Sequence, residues 1–126
     1  MAKPLPGFKP GLPPAGTPAA NVHIVAAMVN PAGSDPGNEF VMLLNTGTID
    51  VNLKGWQVAD NQNKRDTLGN LTVHAGETIK IKLSGNGAQL PNSGGNITLL
   101  NKDGIKISGV SYTKTDAATE GVLVKF

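Results

Sequence analysis

From residue 21 onward the chain alternates short runs rich in β-branched residues with clusters of Gly, Asn, Asp and Pro. The clearest run is "GETIKIKLSG" (76–85), where Ile79, Ile81 and Leu83 alternate with Thr78, Lys80, Lys82 and Ser84. A period of two places the first set on one face of a strand and the second on the other, one dry and one wet. "NVHIVAAMVN" (21–30) reads as a first strand, closed by the Pro- and Gly-punctuated loop "PAGSDPGN". "EFVMLL" (39–44) is apolar at both parities, the pattern of a strand buried from both faces. "VNL" (51–53) and "GWQVAD" (55–60) follow as short strands, and "DTLGNLTV" (66–73) is extended or irregular. "NITLLN" (96–101) and "IKISGVSY" (105–112) flank Asp103-Gly104, a pair suited to the positive φ of a tight hairpin. "TKTDAATEG" has room for one helical turn, and "VLVKF" (122–126) is a last strand. No stretch carries the period of an amphipathic helix. About eight or nine short strands, spaced by roughly 8–12 residues, predict an all-β fold: an immunoglobulin-like antiparallel β-sandwich.

Composition sharpens the domain picture. Six of the nine prolines, Pro4, Pro6, Pro10, Pro13, Pro14 and Pro18, lie in residues 1–20 together with Gly7, Gly11 and Gly16. Proline fixes φ and removes a backbone donor, so this segment is expected to be a flexible arm or linker, with residues 21–126 as the one domain. With few aromatics, the core must rest on Val, Ile and Leu. Of the eleven basic residues Lys3 and Lys9 lie in the arm, which leaves the domain balanced against its nine acidic residues. The concentrated positive field of a sequence-independent DNA binder is therefore missing at the level of net charge. No cysteine is present, which excludes disulfides, thiolate metal sites and cysteine nucleophiles. No apolar run has the length of a membrane span, and the N-terminal residues lack the apolar core of a signal peptide, so a cytoplasmic location is expected.

Candidate chemistry is sparse. His23 and His74 are the only histidines, and neither stands in a nucleophile or metalloprotease motif. Asp35, Glu39, Asp60, Asp66 and Asp103 sit near loops, where carboxylates usually bind their own backbone. A calcium cage is opposed by Lys64 and Arg65 inside "DNQNKRD". "GNGAQLPNSGGN" lacks the Gly-Lys-Ser/Thr that opens a helix in a phosphate loop, and leads into a strand instead. Two cationic pairs remain as a candidate interaction surface: Lys80 and Lys82 on the wet face of one strand, and Lys64 with Arg65 in a turn. Solubility and protection of an exposed sheet edge are the favoured account of such lysines, ahead of an anionic partner. Trp56, the only tryptophan, reads as a core plug.

Taken in order, "EFVMLLNTGTIDVNLKGWQVAD", "LTVHAGETIKIKLSG" and "LPNSGGNITLLNKDGIKISGVSY" resemble the lamin-tail domain over residues 22–112. The shared pattern is F-V-x-L-x-N, a G-W that opens the next strand, an A-G-E-T that opens an alternating strand, and a T-L-L-N-x-D-G hairpin. The ending "GVSYTKTDAATEGVLVKF" is similar to the close of an uncharacterised bacterial family, the YukJ-like proteins. The resemblance implies an immunoglobulin-like sandwich. No heptad rod precedes it and "VLVKF" is not a prenylation box, so the DNA and chromatin contacts of nuclear lamins are not carried over. The expected function is a non-catalytic accessory module at the C-terminus of a larger bacterial protein, making protein–protein contacts. It is expected to need no cofactor and no metal, to avoid membranes, and to be a monomer or weak homodimer. The alternative is binding of DNA or another anionic polymer through the lysine-bearing strand faces.

Overall fold

The computed structural model describes residues 21–33 and 38–126; the proline-rich arm and Asp35 lie outside them. Ten strands follow in chain order: β1 (Val22–Met28), β2 (Phe40–Asn45), β3 (Val51–Asn52), β4 (Gln57–Ala59), β5 (Arg65–Thr67), β6 (Thr72–Val73), β7 (Thr78–Lys82), β8 (Gly94–Leu100), β9 (Lys106–Thr113) and β10 (Val124–Lys125). They form two four-stranded antiparallel sheets, ordered β10-β1-β2-β7 and β5-β4-β8-β9, and a small β3-β6 ribbon. The expected β-sandwich is present, with more elements than expected because "DTLGNLTV" splits into β5 and β6. The "TKTDAATEG" segment closes one turn through Ala117 N–H to the Thr113 carbonyl at 3.2 Å, and no helix grows from it.

A single core joins the two sheets. Val41, Leu43 and Ile81 from one meet Val58, Ile97, Leu99 and Val110 from the other. Register explains which residues enter it. The rungs Ile24–Leu43–Ile79 and Val124–Ala27–Val41–Ile81 face inward. A bulge between Ile24 and Ala26 resets the parity of β1, so that both Ile24 and Ala27 reach the core. The reading of β2 as buried from both faces needs correction. Val41 and Leu43 are fully buried, but Phe40, Met42 and Leu44 are only half-buried, because they project from the outer side of the sheet.

Polar side chains stitch the edges of the sandwich. Ser108 of β9 accepts the Ile24 N–H of β1 at 3.1 Å through Oγ. On the opposite side, Asp66 of β5 accepts the Ser84 N–H at 3.1 Å and the Ser84 hydroxyl at 2.6 Å, just beyond β7. Trp56 is 4% exposed, as a core plug should be. It follows Gly55, whose φ of +81° lets the chain turn into β4. The β8–β9 connection differs in detail from a two-residue turn. Only Gly104 takes a positive φ (+77°), and the loop is closed by buried Asn101, whose Oδ1 accepts the N–H groups of Asp103 (2.9 Å) and Ile105 (3.0 Å).

Candidate functional site

Pairing fixes what the β10-β1-β2-β7 sheet shows on its outer face. Three rungs point outward: His23–Leu44–Thr78, Lys125–Ala26–Met42–Lys80 and Met28–Phe40–Lys82. Met28, Phe40, Met42 and Leu44 thus form a half-buried apolar stripe, with Lys80 and Lys82 exposed along one side and Lys125 on the other. The Lys80 ammonium lies 4.1 Å from the centre of the Phe40 ring, so it is held over the stripe. Periodicity could not show this stripe, because an apolar residue reads the same whether it enters the core or covers the outer face.

Lys64 and Arg65 lie elsewhere. Arg65 pairs with Ala59 on the outer side of the other sheet, where its guanidinium donates to Gln57 Oε1 at 2.9 Å and to Asn63 Oδ1 at 2.9 Å and 3.2 Å. Lys64 sits in the β4–β5 turn and lines a cavity of about 250 Å³ with Glu39, Asp60 and Pro91. The two cationic pairs therefore occupy opposite sheets and do not merge into one patch.

The carboxylates act as backbone caps. Asp60 accepts the N–H groups of Gln62 (2.8 Å), Lys64 (2.9 Å) and Gln89 (3.0 Å). Glu39, 4% exposed, accepts the Leu90 N–H at 3.1 Å. Tyr112 donates its hydroxyl to the Pro91 carbonyl at 2.7 Å, and burial, then the charges of Glu39 and Asp60, push its ionisation above the ordinary phenol range. Among the described residues no three His, Cys, Asp or Glu side chains are grouped to hold a metal ion. No helix among them is long and apolar enough to cross a membrane.

One titrating pair escaped the sequence reading, because its members lie 24 residues apart. His74 Nδ1 is 3.0 Å from Asp50 Oδ2. Asp50 is held below the usual carboxylate range, first by the Ala75 N–H at 2.9 Å and then by His74. The hydrogen bond and charge of Asp50 raise His74, whereas burial lowers His23. The Asp50 share of the stabilisation exists above the unfolded carboxylate value and fades as pH falls through the lowered folded one. The His74 share exists below the unfolded imidazole value and fades as pH rises through the raised folded one, so the pair acts between these limits. Proton NMR titration is expected to place His74 above 6.5 and His23 below it. Asp50→Asn should return His74 toward 6.5 and leave His23 unmoved; an unchanged His74 would mean that the pair does not form in solution.

The sequence pattern of the lamin tail domain matches residues 15–114, most of the chain. The chain belongs to the lamin tail domain family. Among curated proteins, none matches it. Lamin tail domains are immunoglobulin-like protein-interaction modules and are generally non-catalytic. In this lamin tail domain Glu39, Asp60, Asn101 and Ser108, buried polar residues among those described, serve as caps and edge stitches, and the lysine-flanked stripe on the outer sheet face stands apart from them.

Proposed function

We propose that this lamin tail domain is a non-catalytic interaction module, at the C-terminus of a larger bacterial protein, that docks a partner protein on the outer face of its β10-β1-β2-β7 sheet. One observation carries the reading: an apolar stripe of Met28, Phe40, Met42 and Leu44 bordered by Lys80, Lys82 and Lys125. Apolar side chains provide the buried centre of a contact, and the lysines select the sign of its rim. The complementary partner is a segment with acidic residues around apolar anchors. A second copy of this face would bring lysine against lysine, so the domain is expected to be a monomer in solution.

Selection of a displayed peptide library on the domain tests this reading. The expected consensus places Asp or Glu beside Leu, Ile or Phe, and Met42→Asp with Lys80→Glu should weaken selected peptides by about a hundredfold, the scale of losing a central anchor. No enrichment, or enriched peptides indifferent to these changes, would overturn it. The second reading is an anionic polymer, favoured by the same three lysines. Neutralising about two or three phosphates would give a shallow salt dependence, with log K falling by roughly 0.9 per contact on duplex DNA. Titration of a DNA duplex at low and moderate salt decides it, and salt-independent or undetectable binding rejects it.

A further inference from the structure

At the pole where β1 begins and β2 ends lies a cavity of about 600 Å³, on a different surface from the outer sheet face. Its size falls within the roughly 300–1,000 Å³ of small-molecule sites. The loop that forms one wall is fixed from both ends. Asn45, 1% exposed, donates through Nδ2 to the carbonyls of Ile49 (2.8 Å) and Val73 (3.1 Å) and accepts the Gly47 N–H (2.9 Å). Asp50 anchors the other end on His74 and the Ala75 N–H. The loop is thereby pre-formed, and a ligand need not order it on binding.

This fixed loop presents Ile49, which is 76% exposed, the most exposed large hydrophobic among the described residues. Val51 and Trp56 continue the apolar wall. Two cations stand at the same cavity, each on a turn that an asparagine side chain closes. Lys54 is set by its own N–H bonding to Asn52 Oδ1 at 2.9 Å, and Lys102 lies in the loop that Asn101 closes. Neither is in an ion pair with a described carboxylate. Asp50, the acidic residue of the lining, already serves that pair and the Ala75 N–H.

We propose that this pole cavity binds a small amphiphilic anion, an apolar body bearing a carboxylate, with the body against Ile49, Val51 and Trp56 and the charge at Lys54 and Lys102. An apolar wall recognises any apolar body. The two ammonium groups distinguish an anion from a neutral or cationic molecule of the same shape, because the wrong charge meets like charge.

Trp56 is the only tryptophan and lines the cavity, so its emission reports occupancy directly. Titrations of octanoate, octanol and octylammonium, each below its aggregation limit, form a matched set. Octanoate is expected to change Trp56 emission saturably, and to bind at least about tenfold more tightly than octylammonium. The double change Lys54→Gln, Lys102→Gln should remove the preference for octanoate over octanol while leaving octanol binding intact. Ile49→Ser should weaken octanoate and octanol alike. Met42→Asp on the outer face should change neither, which separates this site from the partner-docking surface. Amide shifts in NMR at Gly47 and Lys102 give a second readout independent of fluorescence. Three results would overturn the proposal: no saturable response by either readout, equal binding of octanoate and octylammonium, or a preference for octanoate that survives loss of both lysines.

Discussion

Replacing Trp56 with alanine is expected to destabilise the domain by about 3–5 kcal/mol, the range for removing a large buried aromatic. The side chain is 4% exposed and belongs to the core cluster shared by both sheets. Its backbone is fixed as well. The Trp56 N–H donates to the Leu53 carbonyl at 2.9 Å, and the Trp56 carbonyl accepts the Leu68 N–H at 2.7 Å. The surroundings therefore cannot move in to fill the space, and a cavity remains. Since a domain of this size is usually stable by only about 5–15 kcal/mol, the variant should be near its folding limit. Chemical denaturation followed by circular dichroism measures the loss, because the variant has no tryptophan left to report by fluorescence. A loss under about 1 kcal/mol would show that the ring is not buried in solution.

Asp60→Ala should follow, at about 2–4 kcal/mol. Its carboxylate receives three backbone N–H groups, those of Gln62, Lys64 and Gln89. Orphaning a buried donor costs about 1–3 kcal/mol, and water can reach part of this set because Gln62, Lys64 and Gln89 are exposed residues. Two of the bonds shape the β4–β5 turn, and the third ties in the segment after β7. Hydrogen exchange should therefore speed up at Gln62, Lys64 and Gln89 together, and Asp60→Asn, which keeps one acceptor oxygen, should lose less. Unchanged protection at Gln89 would mean that the tie across the turn is not maintained.

The residues that sequence made legible were those whose reason is local. Alternation in "GETIKIKLSG" placed Ile79, Ile81 and Leu83 inside and Lys80 and Lys82 outside; Ile81 and Leu83 are buried, Ile79 is half-buried against the core, and both lysines are exposed. Gly104 marked the β8–β9 turn, and the environment of Trp56 followed from the Gly-Trp step into a strand. What escaped depended on partners far along the chain. Phe40, Met42 and Leu44 are apolar like Val41 and Leu43, and only sheet pairing shows that they face outward. Asn101 and Asn45 are single polar residues whose capping roles appear only once the loops they close are in place. Arg65 and Lys80 looked like members of one charged surface until pairing put them on separate sheets. The cavity beside Trp56 joins residues from 21 to 102, a span no short window can read.

The first strand has consequences for how the chain reaches this fold. β1 pairs with β10 through Ala26 and Ala27, and is stitched to β9 by Ser108, 84 residues downstream of Ile24. Contacts of such separation must wait for long loops to close, which places sandwiches among slow folders, on the millisecond-to-second scale. During synthesis, β1 and β2 can pair early, but β1 keeps an open edge until Val124 and Lys125 have been made. From the pairing with β2 until β10 has been made, β1 therefore offers one open edge, which a chaperone or a neighbouring nascent chain can find.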